Sequence, residues 1–222
     1  MVIHKRKILT ITLNHIAEFS ALVVSLILWK YIKKGKLKSL PFFLLFILLV
    51  ELTGNYLQKK MFANVRLYNI SIPIEYGYYF FLYYLHGGKT LRLFIKWSSF
   101  VLIAITGICF VKLPSTFFHS YVLVAGEVFI INGSCIFLYE QFQNTEDESL
   151  LKNYFFWLSS GLLLFNLGEL AYFLFFPLIH ANKWDRFDFL FKQINNSLLL
   201  LLYLSYILSI VVYKKYNTLN AR

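Results

Sequence analysis

The sequence predicts an all-α, polytopic integral membrane protein: one membrane domain over residues 1–222, built as a seven-transmembrane-helix bundle. Three observations predict it. The chain is 59% hydrophobic and 20% aromatic but only 15% charged, whereas soluble domains run at about 45–50% apolar and about 25% charged. Its apolar residues fall in continuous runs suited to a bilayer core of roughly 30 Å, which takes about 20 helical residues to cross. The breaks between runs are short and charged, leaving no room for a separate soluble domain. Lipid offers no partner to an open strand edge, so only helices or a closed barrel can span. Continuous rather than alternating apolar runs argue against the barrel.

The first span is expected at 8–31. His4, Lys5, Arg6 and Lys7 before an apolar stretch superficially resemble a secretory leader. Asn14, His15 and Glu18 interrupt that stretch, and no clean small-residue cleavage pattern follows, so the segment reads as a retained span. Lys33, Lys34, Gly35, Lys36 and Lys38 close it off from the second span, 40–57, which carries Glu51 and Asn55. The third, 68–86, holds Pro73, Glu75, Tyr78 and Tyr79. Pro73 removes a backbone donor and is expected to loosen the helix beside Glu75. The fourth, 94–111, has no acidic residue and only Ser98, Ser99, Thr106 and Gly107 as small or polar members. The fifth, 118–139, contains Glu127 flanked at seven-residue steps by Ser120 and Ser134, and Glu146, Asp147 and Glu148 follow it. The sixth, 154–176, carries Asn166 and Glu169, and the seventh, 189–213, carries Gln193, Asn195 and Asn196.

A formal charge of +11 suggests nucleic acid until its distribution is considered. The basic residues lie between apolar runs rather than along one face, which points to lipid headgroups. With seven spans the termini lie on opposite sides. Lys30, Lys33, Lys34, Lys36, Lys38, Lys89, Arg92, Lys96, Lys152, Lys214, Lys215 and Arg222 then share the C-terminal side, twelve of the 22. The positive-inside rule makes that side cytoplasmic and the N-terminus external in an inner or plasma membrane. Trp29, Trp97 and Trp157 fall at the same interface. Cys109 and Cys135 lie inside apolar runs and read as packing residues.

Five of the eleven acidic residues lie within spans, one per helix: Glu18, Glu51, Glu75, Glu127 and Glu169. A charge at the centre of a membrane helix costs about 2.5–3.5 kcal/mol even on the lenient insertion scale, so five demand a shared purpose. Successive helices alternate in direction, which brings all five to a similar level in the half nearer the N-terminal side. Gln193 and Asn196 join them there. Helical spacing adds His15, Asn55, Asn166, Tyr78 and Tyr79 on the same faces. The expectation is a cavity lined by carboxylates and amides. Interhelical hydrogen bonds, worth about 0.6 kcal/mol on average, are the competing explanation for any single glutamate.

An acid-free fourth span between two sets of three polar spans looks like a three-plus-one-plus-three arrangement. In that layout the chain resembles the sugar-exporter and PQ-loop transporters and, more distantly, opsin-like seven-helix proteins. Their motifs are missing: no Pro-Gln pair stands in the first or fifth span, and Lys192 lies near the start of the seventh rather than deep within it. The resemblance is architectural and carries no functional residues.

The clustered carboxylates point to binding or transport of a small cationic or polar solute, with protons as a coupling ion. One alternative is a membrane-embedded enzyme acting on a lipid-like substrate. Its best metal-ligating fragment is His15 with Glu18 at an i, i+3 spacing. His4, His86, His119 and His180 fall at or near span ends, however, and no serine nucleophile motif is present. A third reading is a receptor or complex subunit, which would need a protein partner or a homo-oligomer to relay its signal. The sequence names no cofactor.

Overall fold

The computed structural model describes residues 13–60, 64–143, 150–181 and 189–217. His4, the basic residues at 5–7 and the acidic residues at 146–148 lie outside that set. The described residues form eight α-helices and one 3-10 turn, with no strand among them. They are α1 (Leu13–Ile27), α2 (Trp29–Ile32), α3 (Leu40–Lys59), α4 (Val65–His86), α5 (Lys89–Lys112), α6 (Ser120–Gln143), the 3-10 turn Leu150–Lys152, α7 (Tyr154–Ala181) and α8 (Phe189–Asn217). Stretches within α3, α5, α6, α7 and α8 are long and apolar enough to cross a membrane.

Each helix overlaps a predicted span, and the differences have physical causes. The first span is broken at Leu28 into α1 and the single turn α2, and the lysine-rich segment after it continues as short turns, Gly35 N–H to Ile32 O and Leu40 N–H to Leu37 O. α4 runs through Pro73 without interruption. α5 begins five residues before the predicted 94, taking Lys89 and Arg92 into its first turn. Long basic side chains can lie along an apolar helix with their charge in the headgroups, so a lysine does not end a helix. The start of α5 is also capped from outside. Glu140 of α6 accepts from Gly88 N–H at 2.9 Å and from Leu91 N–H at 3.3 Å, placing a carboxylate on the positive end of the α5 dipole.

Neighbouring helices pack in the order α1–α3–α4–α6–α7–α8, and α8 returns to α1, closing a six-helix ring. α5 packs on α4 and α6 from outside. Its outer face is apolar and open, with Ile103 at 71% and Val111 at 81% exposure, a surface that water would penalise and lipid tails would not. Cys109 and Cys135 are both free thiols.

Toward the lysine-rich end the ring closes on aromatic packing. Tyr83, Phe137 and Phe155 are buried from α4, α6 and α7, with edge-on ring pairs at 5.4 Å between Tyr83 and Phe155 and 4.9 Å between Phe137 and Phe155. Such geometry sets a positive ring edge against a negative face. On one side of this layer the ring opens into a polar cavity.

Candidate functional site

The cavity has a volume of about 420 Å³ and takes side chains from all six ring helices. α1 supplies Asn14, His15 and Glu18, and α3 supplies Glu51 and Asn55. α4 contributes Tyr68, Ser71, Glu75, Tyr76 and Tyr79, a run at turn-length intervals that places one face of the helix along the wall. α7 adds Phe165, Asn166 and Glu169, and α8 adds Asn195 and Tyr203. Phe118 and Leu123 complete the lining from the start of α6 and the residues before it. Among the described residues, no lysine or arginine lines the space.

Tyrosines hold the carboxyl groups. The Tyr79 hydroxyl donates to Glu75 Oε1 at 2.7 Å, and the Tyr206 hydroxyl donates to Tyr79 at 3.0 Å. Tyr68 donates a long bond of 3.5 Å to Glu51 Oε2. Gly54 makes room for that tyrosine, since a Cβ there would press on its hydroxyl. Tyr203 reaches the carboxyl of Glu18, which is nearly buried and keeps Oε2 unpartnered among the described residues. The amide of Asn55 donates to His15 Nε2 at 2.8 Å, joining α3 to α1 at the cavity mouth. The amide of Asn166 donates to Leu162 O within its own helix.

Of the residues singled out from the sequence, Glu18, Glu51, Glu75, Glu169, His15, Asn55, Asn166 and Tyr79 line this space. Four others do not. Glu127 is fully buried in α6, with both carboxyl oxygens unpartnered among the described residues. On the neighbouring Gly126 rests the ring of Tyr76, where any Cβ would collide with it. Tyr78 is rotated toward α3, stacks on Phe43 at 3.8 Å and pairs with Ser39 Oγ at 3.2 Å. Gln193 is exposed. Asn196 sits one step behind the wall, accepting from Asn14 Nδ2 at 2.7 Å and so tying α8 to α1.

Tyr68, Ser71, Tyr76, Asn14 and Tyr203 line the cavity without having been singled out. Tyr68 and Ser71 stand seven and four residues before Glu75, a periodicity that places them on its face. Asn69, one step round the helix, is structural: it donates to Phe117 O at 2.8 Å and accepts from His119 N–H at 2.9 Å, pinning the segment that presents Phe118.

Among the described residues, no group of three or more His, Cys, Asp and Glu side chains is arranged to hold a single metal ion. The carboxyls are distributed around a volume rather than gathered on a point. No protein-family model matches the chain, and no curated protein and no solved structure matches it.

Proposed function

We propose that this chain is a seven-span membrane protein whose cavity binds, and carries across the bilayer, a small organic cation such as an amine or quaternary ammonium ion. One observation carries the reading: four glutamates from four helices surround one space of about 420 Å³ whose lining, among the described residues, holds no lysine or arginine. Uncompensated carboxyls in the membrane interior are expensive, and a cationic solute is the partner that would relieve them. The volume suits a small molecule. Tyr68, Tyr76, Tyr203, Phe118 and Phe165 supply aromatic faces, which attract ammonium groups when desolvated.

α1 and α4 are assigned as spans because they complete the ring, although α1 is short and the apolar run of α4 is broken by Arg66, Asn69 and Glu75. The triplets α1–α3–α4 and α6–α7–α8, with α5 outside, support a three-plus-one-plus-three arrangement. The lysine-rich end is assigned to the cytoplasm, so the cavity faces the exterior half of an inner or plasma membrane.

Isothermal titration of the purified protein with tetramethylammonium and 1,4-diaminobutane tests the reading, with glucose and phosphate as neutral and anionic comparators. Binding of at least one cation and of neither comparator is expected. Binding of glucose or phosphate with no response to either cation would end it.

A further inference from the structure

We propose that a pocket at the lysine-rich end of the bundle binds an anionic phospholipid, its phosphate held by Lys34, Lys36 and Lys38 and one acyl chain descending the outside of α4. The pocket has a volume of about 520 Å³ and lies between the segment after α2, the last turns of α4, the start of α7 and the end of α8. It is at the other end of the bundle from the glutamate cavity, and its occupant is independent of what that cavity binds.

The lysines are presented by a pinned segment rather than a loose one. Ile32, Leu37 and Leu40 are fully buried, and the backbone between them turns on bonds from Gly35 N–H to Ile32 O at 2.9 Å and from Lys38 N–H to Gly35 O at 3.3 Å. Gly35 seats the Tyr213 hydroxyl, where a Cβ would collide with it, so α8 supports the segment from behind. Lys36 Nζ donates to Leu85 O at 3.0 Å, satisfying a carbonyl that the end of α4 leaves without a helical partner. An ammonium carries three N–H donors, so two remain for a ligand. Ser39, Tyr154 and Tyr213 add hydroxyl-bearing side chains, and among the described residues no acidic side chain lines the pocket.

The wall on α4 is apolar. Phe81 and Leu85 stand four residues apart on one face, which puts Phe81 about 6 Å nearer the bilayer centre. Phe81 is 44% exposed, and on the outside of a membrane bundle such a surface meets hydrocarbon. A free phosphate or a sugar phosphate would use the lysines and leave this wall idle. A phospholipid uses both ends, since its phosphate lies at the depth of the lysines and its chains descend past Phe81. Topology alone accounts for an excess of lysine on one side of a membrane. It does not account for three lysines converging on one pocket with an apolar wall.

Native mass spectrometry of the detergent-purified protein counts bound lipids in the absence of a charged bilayer surface. Titrated with dioleoylphosphatidylglycerol and with dioleoylphosphatidylcholine, the protein is expected to retain one molecule of the anionic lipid with about tenfold or greater preference. Lys34→Gln/Lys36→Gln/Lys38→Gln should abolish that preference. Lys89→Gln/Lys96→Gln/Lys152→Gln removes the same charge from exposed positions outside the pocket and should keep it. Lys34→Gln/Lys38→Gln leaves the Lys36 bond to α4 in place and should lower the preference about threefold or more, which keeps the test open if the triple variant does not fold. Millimolar glycerol 3-phosphate, which has the phosphate without the chains, should not displace the lipid. Equal retention of the two lipids by the wild type overturns the site, and so does an equal loss of preference in the two triple variants. Displacement by glycerol 3-phosphate assigns the pocket to a soluble phosphate and overturns the lipid.

Discussion

Replacing Glu75 by glutamine removes one charge from the cavity and changes almost nothing else. The amide oxygen of glutamine can still accept the 2.7 Å bond from Tyr79, so the wall keeps its shape. A sphere of 420 Å³ has a radius of about 4.6 Å, and a cation at its centre stands roughly 6 Å from the carboxylate oxygens. With an effective dielectric constant near 20, one ionised carboxylate at that distance contributes about 2–3 kcal/mol of attraction. The desolvation of ion and carboxylate offsets about half, so Glu75→Gln is expected to weaken tetramethylammonium binding by roughly tenfold, 1.4 kcal/mol per decade. Glu127→Gln is the internal comparison, since that carboxyl does not line the space. Its effect is expected to stay below about threefold. Titration calorimetry at pH 8 and low salt measures both. A Glu75→Gln protein that binds the cation as tightly as wild type refutes the electrostatic reasoning, and so does a Glu127→Gln protein that loses more affinity than Glu75→Gln.

Three further outcomes concern the frame around the cavity. Gly126→Ala drives a methyl into the Tyr76 ring and should lower stability by about 1–3 kcal/mol, whereas Gly77→Ala, with no neighbouring atom within 4 Å, should be neutral or stabilising by about 0.4–1 kcal/mol. Thermal unfolding in detergent compares the two. Asn69→Ala strips partners from Phe117 O and His119 N–H and should cost about 1–3 kcal/mol, read as a lower melting temperature with faster amide exchange at His119. Glu140→Ala uncaps α5 and should cost about 0.5–2 kcal/mol, with the increase in amide exchange concentrated at Gly88 and Leu91.

Much of this arrangement is legible in the residues, and the boundary of legibility is rotational. Continuous apolar runs identify the helices, because only a lipid-facing helix tolerates them at such length. Alternating helix direction brings Glu18, Glu51, Glu75 and Glu169 to one level, and all four line one cavity. Level does not determine facing. Gly126 and Glu127 differ by 100° around α6, and the close seating of Tyr76 on the glycine turns Glu127 away from the space. Nothing in the residues near 127 announces that contact, since it depends on which side of α6 meets α4. The same applies to Tyr78 and Tyr79. Both lie a turn after Glu75, but the stack of Tyr78 on Phe43 fixes the helix so that only Tyr79 lines the cavity. Tyr68 and Ser71 were within reach of periodicity alone. Tyr206 was not, because its role emerges only when α8 meets α4.

Ring closure has a consequence for how the chain is made. Asn14 and its partner Asn196 are 182 residues apart, and α1 packs on α8. At ribosomal speeds of about 5–20 residues per second, α1 waits roughly 10–35 s for its last neighbour to be synthesised. During that interval the ring lacks its sixth wall, and the acidic faces of α1, α3 and α4 must be sheltered by water in the insertion channel or by an insertase. Biogenesis of this protein is therefore most exposed to failure just before α8 enters the membrane, and a nascent chain stalled there should be a prime target for membrane proteases.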